Sequence, residues 1–102
     1  MGIGAFDDAY LVGATGVTVT SSGTSASVAI PNNAAGIRAR VVRLQCTGNV
    51  YVKFTSGAGT CTNQDMLLSP NYDVMVHCKN FDTISYLQET ASAKLNITPM
   101  EV

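Results

Sequence analysis

From residue 17 onward the chain is written in a period of two. Val17 and Val19 alternate with Thr18 and Thr20, and Ala26, Val28 and Ile30 alternate with Ser25, Ser27 and Ala29. Successive residues of a strand point to opposite faces, so such alternation marks a strand with one face buried. No segment carries the i, i+3, i+4, i+7 apolar stripe of an amphipathic helix. Strands of this kind gain stability only by packing their apolar face against another layer, which narrows the choice to a sandwich or a small barrel.

The rest of the chain keeps the pattern. Pro31-Asn32-Asn33 stops the second strand, because proline cannot donate to a ladder. In AAGIRARVVRLQC, Ile37, Ala39 and Val41 share one face and Arg38 and Arg40 the other. The apolar set then moves to Val42, Leu44 and Cys46, a one-residue slip of the kind a β-bulge produces. Thr47-Gly48-Asn49 reads as a tight hairpin turn. After it Val50, Val52 and Phe54 point inward, with Tyr51 and Lys53 outward. DMLLSP predicts a brief strand or sheet edge. DVMVHC sets Val74 and Val76 against Met75 and His77, FDTISYLQ puts Ile84 and Tyr86 on one face, and Leu95 and Ile97 alternate in a last strand before Pro99. Seven or eight short strands separated by Gly, Ser and Asn turns predict an all-β domain over 17–102, an antiparallel β-sandwich or a jelly-roll-like small barrel. Residues 1–16, rich in Gly and Ala with Ile3, Phe6, Tyr10 and Leu11 scattered among them, read as an extended N-terminal arm, either a frayed terminus or a segment that lies across a neighbouring subunit.

The 102 residues suit one domain with a core of its own. Charged residues make up 13% of the chain, about half the usual share, and Ser, Thr and Asn fill the difference at about a quarter. A net charge of −1 argues against a sequence-blind grip on nucleic acid, which needs clustered Lys and Arg. Arg38, Arg40 and Arg43 are nonetheless half of the six basic residues. They form either a solvated outer face or a docking surface for an acidic protein partner, since the guanidinium fork pairs well with carboxylates. The start MGIGAFDDAYLVG has no basic n-region and is interrupted by Asp7 and Asp8, unlike a signal peptide. No apolar run approaches bilayer-spanning length, so no membrane partner is expected.

The residues that could carry chemistry do not assemble into a known constellation. SGAGT (56–60) lacks the following Lys-Ser or Lys-Thr and the helix that a phosphate-binding loop requires. Cys46, Cys61 and Cys78 are an odd number with no CxxC pair, which favours reduced, buried thiols in a reducing cytoplasm. His77, the only histidine, adjoins Cys78, but neighbours on a strand face opposite ways and do not readily share an ion. The carboxylates Asp7, Asp8, Asp65, Asp73, Asp82, Glu89 and Glu101 sit in the arm or at turns, and tryptophan is absent. No enzyme, cofactor or metal is expected. A carbohydrate-binding module is a weaker alternative, resting on a platform of Tyr51, Tyr72 and Tyr86.

Two stretches, VVRLQCTGNVYVKFTSGAGTCTNQDMLL and FDTISYLQETASAKLNITPME, resemble small structural proteins of tailed bacteriophages. The carriers are Arg43, Thr47, Gly48, Tyr51, Val52, Lys53 and Phe54, then Asp65, Met66 and Leu68, then Ile84, Leu95, Ile97, Thr98, Pro99 and Glu101. They cover about the last two-thirds of the chain, leaving out the arm and the three cysteines. The resemblance implies a virion component, a capsid decoration or cement protein. Such a protein oligomerises, often as a trimer, and docks on the major capsid protein of an assembled lattice, on the capsid exterior. Assembly then takes place in the host cytoplasm. A head–tail, tail or fibre-base position is the alternative within the virion. The residues expected to meet partners are Phe6, Tyr10 and Leu11 of the arm, Arg38, Arg40 and Arg43, and the outward Tyr51 and Lys53.

Overall fold

The computed structural model of the chain describes residues 15–32, 36–78 and 80–100. Eight strands follow one another: β1 (Val17–Thr20), β2 (Ala26–Ala29), β3 (Val41–Cys46), β4 (Val50–Thr55), β5 (Met66–Leu68), β6 (Val74–His77), β7 (Thr83–Gln88) and β8 (Lys94–Met100). They form two antiparallel four-stranded sheets, ordered β1-β8-β3-β6 and β2-β7-β4-β5. The pairing is nested, β1 with β8, β2 with β7, β3 with β6 and β4 with β5, and is completed by β8 against β3 and β7 against β4. This is the strand order of a jelly roll. The expected all-β sandwich is therefore the fold, and no helix occurs among the described residues.

The inward faces follow the period-two pattern. Val42, Leu44 and Cys46 of β3, Leu95 and Ile97 of β8, Val50 and Val52 of β4, and Ile84 and Tyr86 of β7 join one buried cluster. Partly buried Val17, Val19, Ala26, Val28, Phe54, Val74 and Val76 pack around it. Each fully buried aliphatic side chain contributes about 1.5–3 kcal/mol relative to exposure, so this cluster dominates the stability. Every buried side-chain nitrogen and oxygen among the described residues has a hydrogen-bond partner.

Three local expectations are corrected. Thr47-Gly48-Asn49 joins β3 of one sheet to β4 of the other, so it is a crossing between layers and not a hairpin turn. Its chemistry permits a reversal; the apolar faces of both strands place that reversal across the core. The phase slip before Val42 is not a bulge. The ladder begins at Val41, residues 36–40 lie outside it, and Ile37 is 63% exposed while Ala39 is buried. Val41 and Val42 are thus the first two rungs, facing opposite sides. The last strand does not stop before Pro99 but runs through it to Met100. β1 reaches only to Ile97, so at Pro99 the strand is locally an edge on that side, where a missing N–H does no harm.

Candidate functional site

The outer face of the sheet β2-β7-β4-β5 is covered by its own loop. Residues 56–65 leave β4, among the described strands the only one joined to its successor within one sheet, and turn back over the face before entering β5. In this loop the amides of 57, 59 and 61 donate to side-chain oxygens of β2 or of the residues just ahead of β2 and β7. Gly57 N–H donates to Asp82 Oδ1 at 2.8 Å, Gly59 N–H to Ser27 Oγ at 3.2 Å, and Cys61 N–H to Ser25 Oγ at 2.8 Å. The spacing 57, 59, 61 is that of an extended segment, and Ser25, just ahead of β2, and Ser27 within it keep the same period. The segment is a strap held by side chains in place of a ladder.

The strap explains burial that an outward position does not otherwise have. Ser85 lies opposite Ser27 and Lys53 on the outward face, yet is 0% exposed. Its hydroxyl meets Ser27 Oγ at 3.0 Å. The two glycines of SGAGT have separate reasons. Gly57 sits at φ +72°, in the left-handed region that favours glycine. Gly59 lies so close to the sheet that a Cβ would come within 2.5 Å of Thr55 Cγ2. At the near end Asp82 also accepts from Thr83 Oγ1 at 2.9 Å. The Gly57 amide and then this hydroxyl hold the Asp82 carboxyl below its usual value.

Beyond Cys61 the strap stands clear of the sheet, and a cleft of about 830 Å³ opens. Tyr51 of β4 and Leu87 of β7, a cross-strand pair, lie on its floor. Gly23, Thr24 and Ser25, ahead of β2, line it with Thr60, Thr62 and Asn63 of the strap, and Gln88 and Glu89 close the end. Glu89 Oε1 accepts from Asn49 Nδ2 at 2.8 Å. Hydroxyls and amides thus surround a half-exposed tyrosine.

The residues expected to meet partners are divided by the fold. Tyr51 and Lys53 face outward on the β2-β7-β4-β5 sheet. Arg43 faces outward on the opposite sheet, where its Nε donates to Asp73 Oδ2 at 2.7 Å. That pair is solvent-exposed and screened, and its main effect is to hold the Asp73 carboxyl below its usual value. Arg38 and Arg40 are exposed on either side of buried Ala39, and Arg38 Nη1 donates to Asn80 O at 3.1 Å. The arginines therefore span the start of β3 and do not join Tyr51 and Lys53 in one patch. Phe6, Tyr10 and Leu11 lie outside the described residues. The platform of three tyrosines is not assembled: Tyr86 points into the core, Tyr51 away from it, and Tyr72 lies in the β5–β6 connection.

The three thiols are free and buried. Cys46 and Cys78 belong to the core cluster, whereas Cys61, 2% exposed, is a residue of the strap itself. Burial pushes all three thiols up, and the nearby Asp65 carboxylate helps take Cys61 to about 11. None has the lowered pKa of a nucleophilic thiol. His77 faces outward and Cys78 inward, as the alternation requires. No group of three or more His, Cys, Asp or Glu among the described residues is arranged to hold a metal ion.

Sequence reasoning missed the strap and the exposed apolar edge. Met66 and Leu67 of β5, Tyr72 of the β5–β6 connection and Met75 of β6 are all exposed. β5 pairs only with β4 and β6 only with β3 among the described strands, and the connection 69–73 sets these two sheet edges on one side of the sandwich. The visible signal was six apolar residues (Met66, Leu67, Leu68, Tyr72, Val74 and Met75) in ten positions with one charge, Asp73, among them. Comparison with family models, with curated proteins and with solved structures finds no match to this chain.

Proposed function

We propose that this chain is a non-enzymatic structural protein of a tailed-bacteriophage virion, a capsid decoration or cement protein. It self-associates, in the simplest case as a trimer, and docks on the major capsid protein to stabilise the lattice. The observation that carries the reading is the apolar side formed by β5 and β6, where Met66, Leu67, Tyr72 and Met75 are exposed beside two strand edges. The occupant of that side is a second copy of the chain, which offers the same two strand edges. An unpaired strand edge offers a row of backbone donors and acceptors, and exposed apolar side chains beside it add area to an association. The resemblance carried by Arg43 to Phe54 and by Leu95 to Glu101 supplies the virion role. Repetition over a lattice multiplies modest contacts, so docking through Arg38 and Arg40, or through Lys53 on the far sheet, needs little affinity per copy.

Sedimentation of the purified chain, alone and with assembled capsids, tests the reading. The expected result is a defined oligomer that co-sediments with capsids, in hundreds of copies per virion. A chain that stays monomeric and never pellets with capsids overturns it. A dozen copies or fewer would move it to the tail axis.

A further inference from the structure

We propose that the cleft over Tyr51 is a binding site for a neutral saccharide. The cleft of about 830 Å³ falls within the size range of small-ligand sites. Its floor is an aromatic ring beside Leu87, a flat apolar surface of the kind that stacks on the C–H face of a sugar ring. Its walls are hydroxyls and amides, groups that both donate and accept, as a polyol requires. The Thr24 and Thr60 hydroxyls and the Gln88 amide have no hydrogen-bond partner among the described residues, so they remain available to a ligand.

Charge and topology select the ligand class. No Lys, Arg or His lines the cleft and the one ionisable carboxylate is Glu89, so an anionic ligand finds no counter-charge. Glu89 is oriented by Asn49 and keeps acceptor capacity for the paired hydroxyls of a sugar. A peptide that binds by strand addition needs a free edge. The floor residues belong to β4 and β7, each paired on both sides, so no such edge is offered. The site is preformed, because the strap that makes one wall is tied to the sheet at Ser25 and Ser27. The inference stands independently of the virion reading.

The test titrates the full-length, isotope-labelled chain with neutral disaccharides (maltose, cellobiose, lactose, chitobiose), with sialyllactose and with a Gly-Ser peptide, following backbone amide shifts. For at least one neutral sugar the expected result is a Kd on the order of 1 mM, with shifts confined to residues around Tyr51, Thr60 to Asn63 and Gln88. Tyr51→Ala should weaken binding at least about tenfold with melting unchanged. Gln88→Ala, at the half-buried end of β7, supplies a second reading should Tyr51→Ala fail to fold. Absence of shifts with every neutral sugar overturns the proposal. So does a preference for sialyllactose or the peptide, or binding that survives both substitutions.

Discussion

Ser27 and Gly59 exchange two hydrogen bonds through a single hydroxyl. The Gly59 amide donates to Ser27 Oγ, and Ser27 Oγ in turn meets Gly59 O at 3.1 Å. A serine side chain here does the work of a backbone rung and fixes the middle of the strap to the sheet. Its two neighbours in the strap, at Gly57 and Cys61, are tied in the same way. Removing the central tie should therefore loosen one wall of the cleft before it disturbs the core.

Ser27→Ala leaves the Gly59 N–H and C=O unpaired against the sheet, and should cost about 1–3 kcal/mol. Gly59→Ala forces a methyl against Thr55 and should cost a similar amount, about 1–3 kcal/mol. Urea unfolding measures both, and hydrogen exchange at 57, 59 and 61 locates the effect. Stabilities within about 0.5 kcal/mol of the parent, with protection unchanged, would show that the strap is not held this way.

Acid should release the strap at its Gly57 end. Asp82 has its folded pKa depressed below the usual 3.8 by the Gly57 amide first and the Thr83 hydroxyl second. A depressed carboxyl stabilises the fold fully above its unfolded value and loses that contribution as pH falls through the folded value. Melting should accordingly be flat between pH 7 and about 5 and fall below about 4. Asp65, held down first by the Thr62 amide, and Asp73, held down first by Arg43, act in the same window. Asp82→Asn should lower the melting temperature at neutral pH and shallow the acid slope; an unaltered slope would remove Asp82 from the account.

All three thiols should resist a disulfide-exchange reagent at about pH 8 in the folded protein and react together on unfolding, since exchange needs an exposed thiolate. Cys61 is the discriminating case, because it belongs to the strap and not to the core cluster. In Ser27→Ala or Gly59→Ala it should become reactive while Cys46 and Cys78 stay protected. Mass spectrometry of the labelled peptides reads this directly, and simultaneous exposure of all three in the variants would mean that the strap does not open separately.

Placing a charge on the apolar edge should dissociate the oligomer and spare the fold. Leu67→Lys and Met75→Lys put an ammonium on the two exposed strand edges, the device by which natural sheets block edge association. Sedimentation should shift from oligomer to monomer at unchanged melting of the isolated subunit. An oligomer that survives both changes would locate self-association elsewhere, with the opposite side at β1 and β2 next to be tested.

Most strands were legible because burial on one face imposes a period of two; the three-residue β5, apolar at every position, does not carry it. Which sheet a strand joins was not legible. Thr47-Gly48-Asn49 can reverse the chain within a layer or across it, and only the global placement of Leu44 and Val52 decides. The strap was hidden for another reason. Ser25 and Ser27 look like solvated outward residues, and their role depends on glycines thirty positions away. A hint lay in the outward faces themselves, which carry hydroxyls where an open surface would carry charges. Of the candidate site, Tyr51 was identified from its outward position, while the Gln88, Thr60 and Asn63 around it come together only through tertiary structure.

The nested pairing also orders events in time. β7 and β8 are the last strands along the chain, yet they occupy interior positions in their sheets, bridging β2 to β4 and β1 to β3. A nascent chain that has not yet reached residue 83 can form only the isolated pairs β3·β6 and β4·β5, and two-stranded pairs are marginal in water. Val17 must then wait for Ile97. Such long-range closure is slow, so this domain should complete its fold only after synthesis has passed β8, with the β5 and β6 edges exposed throughout the interval.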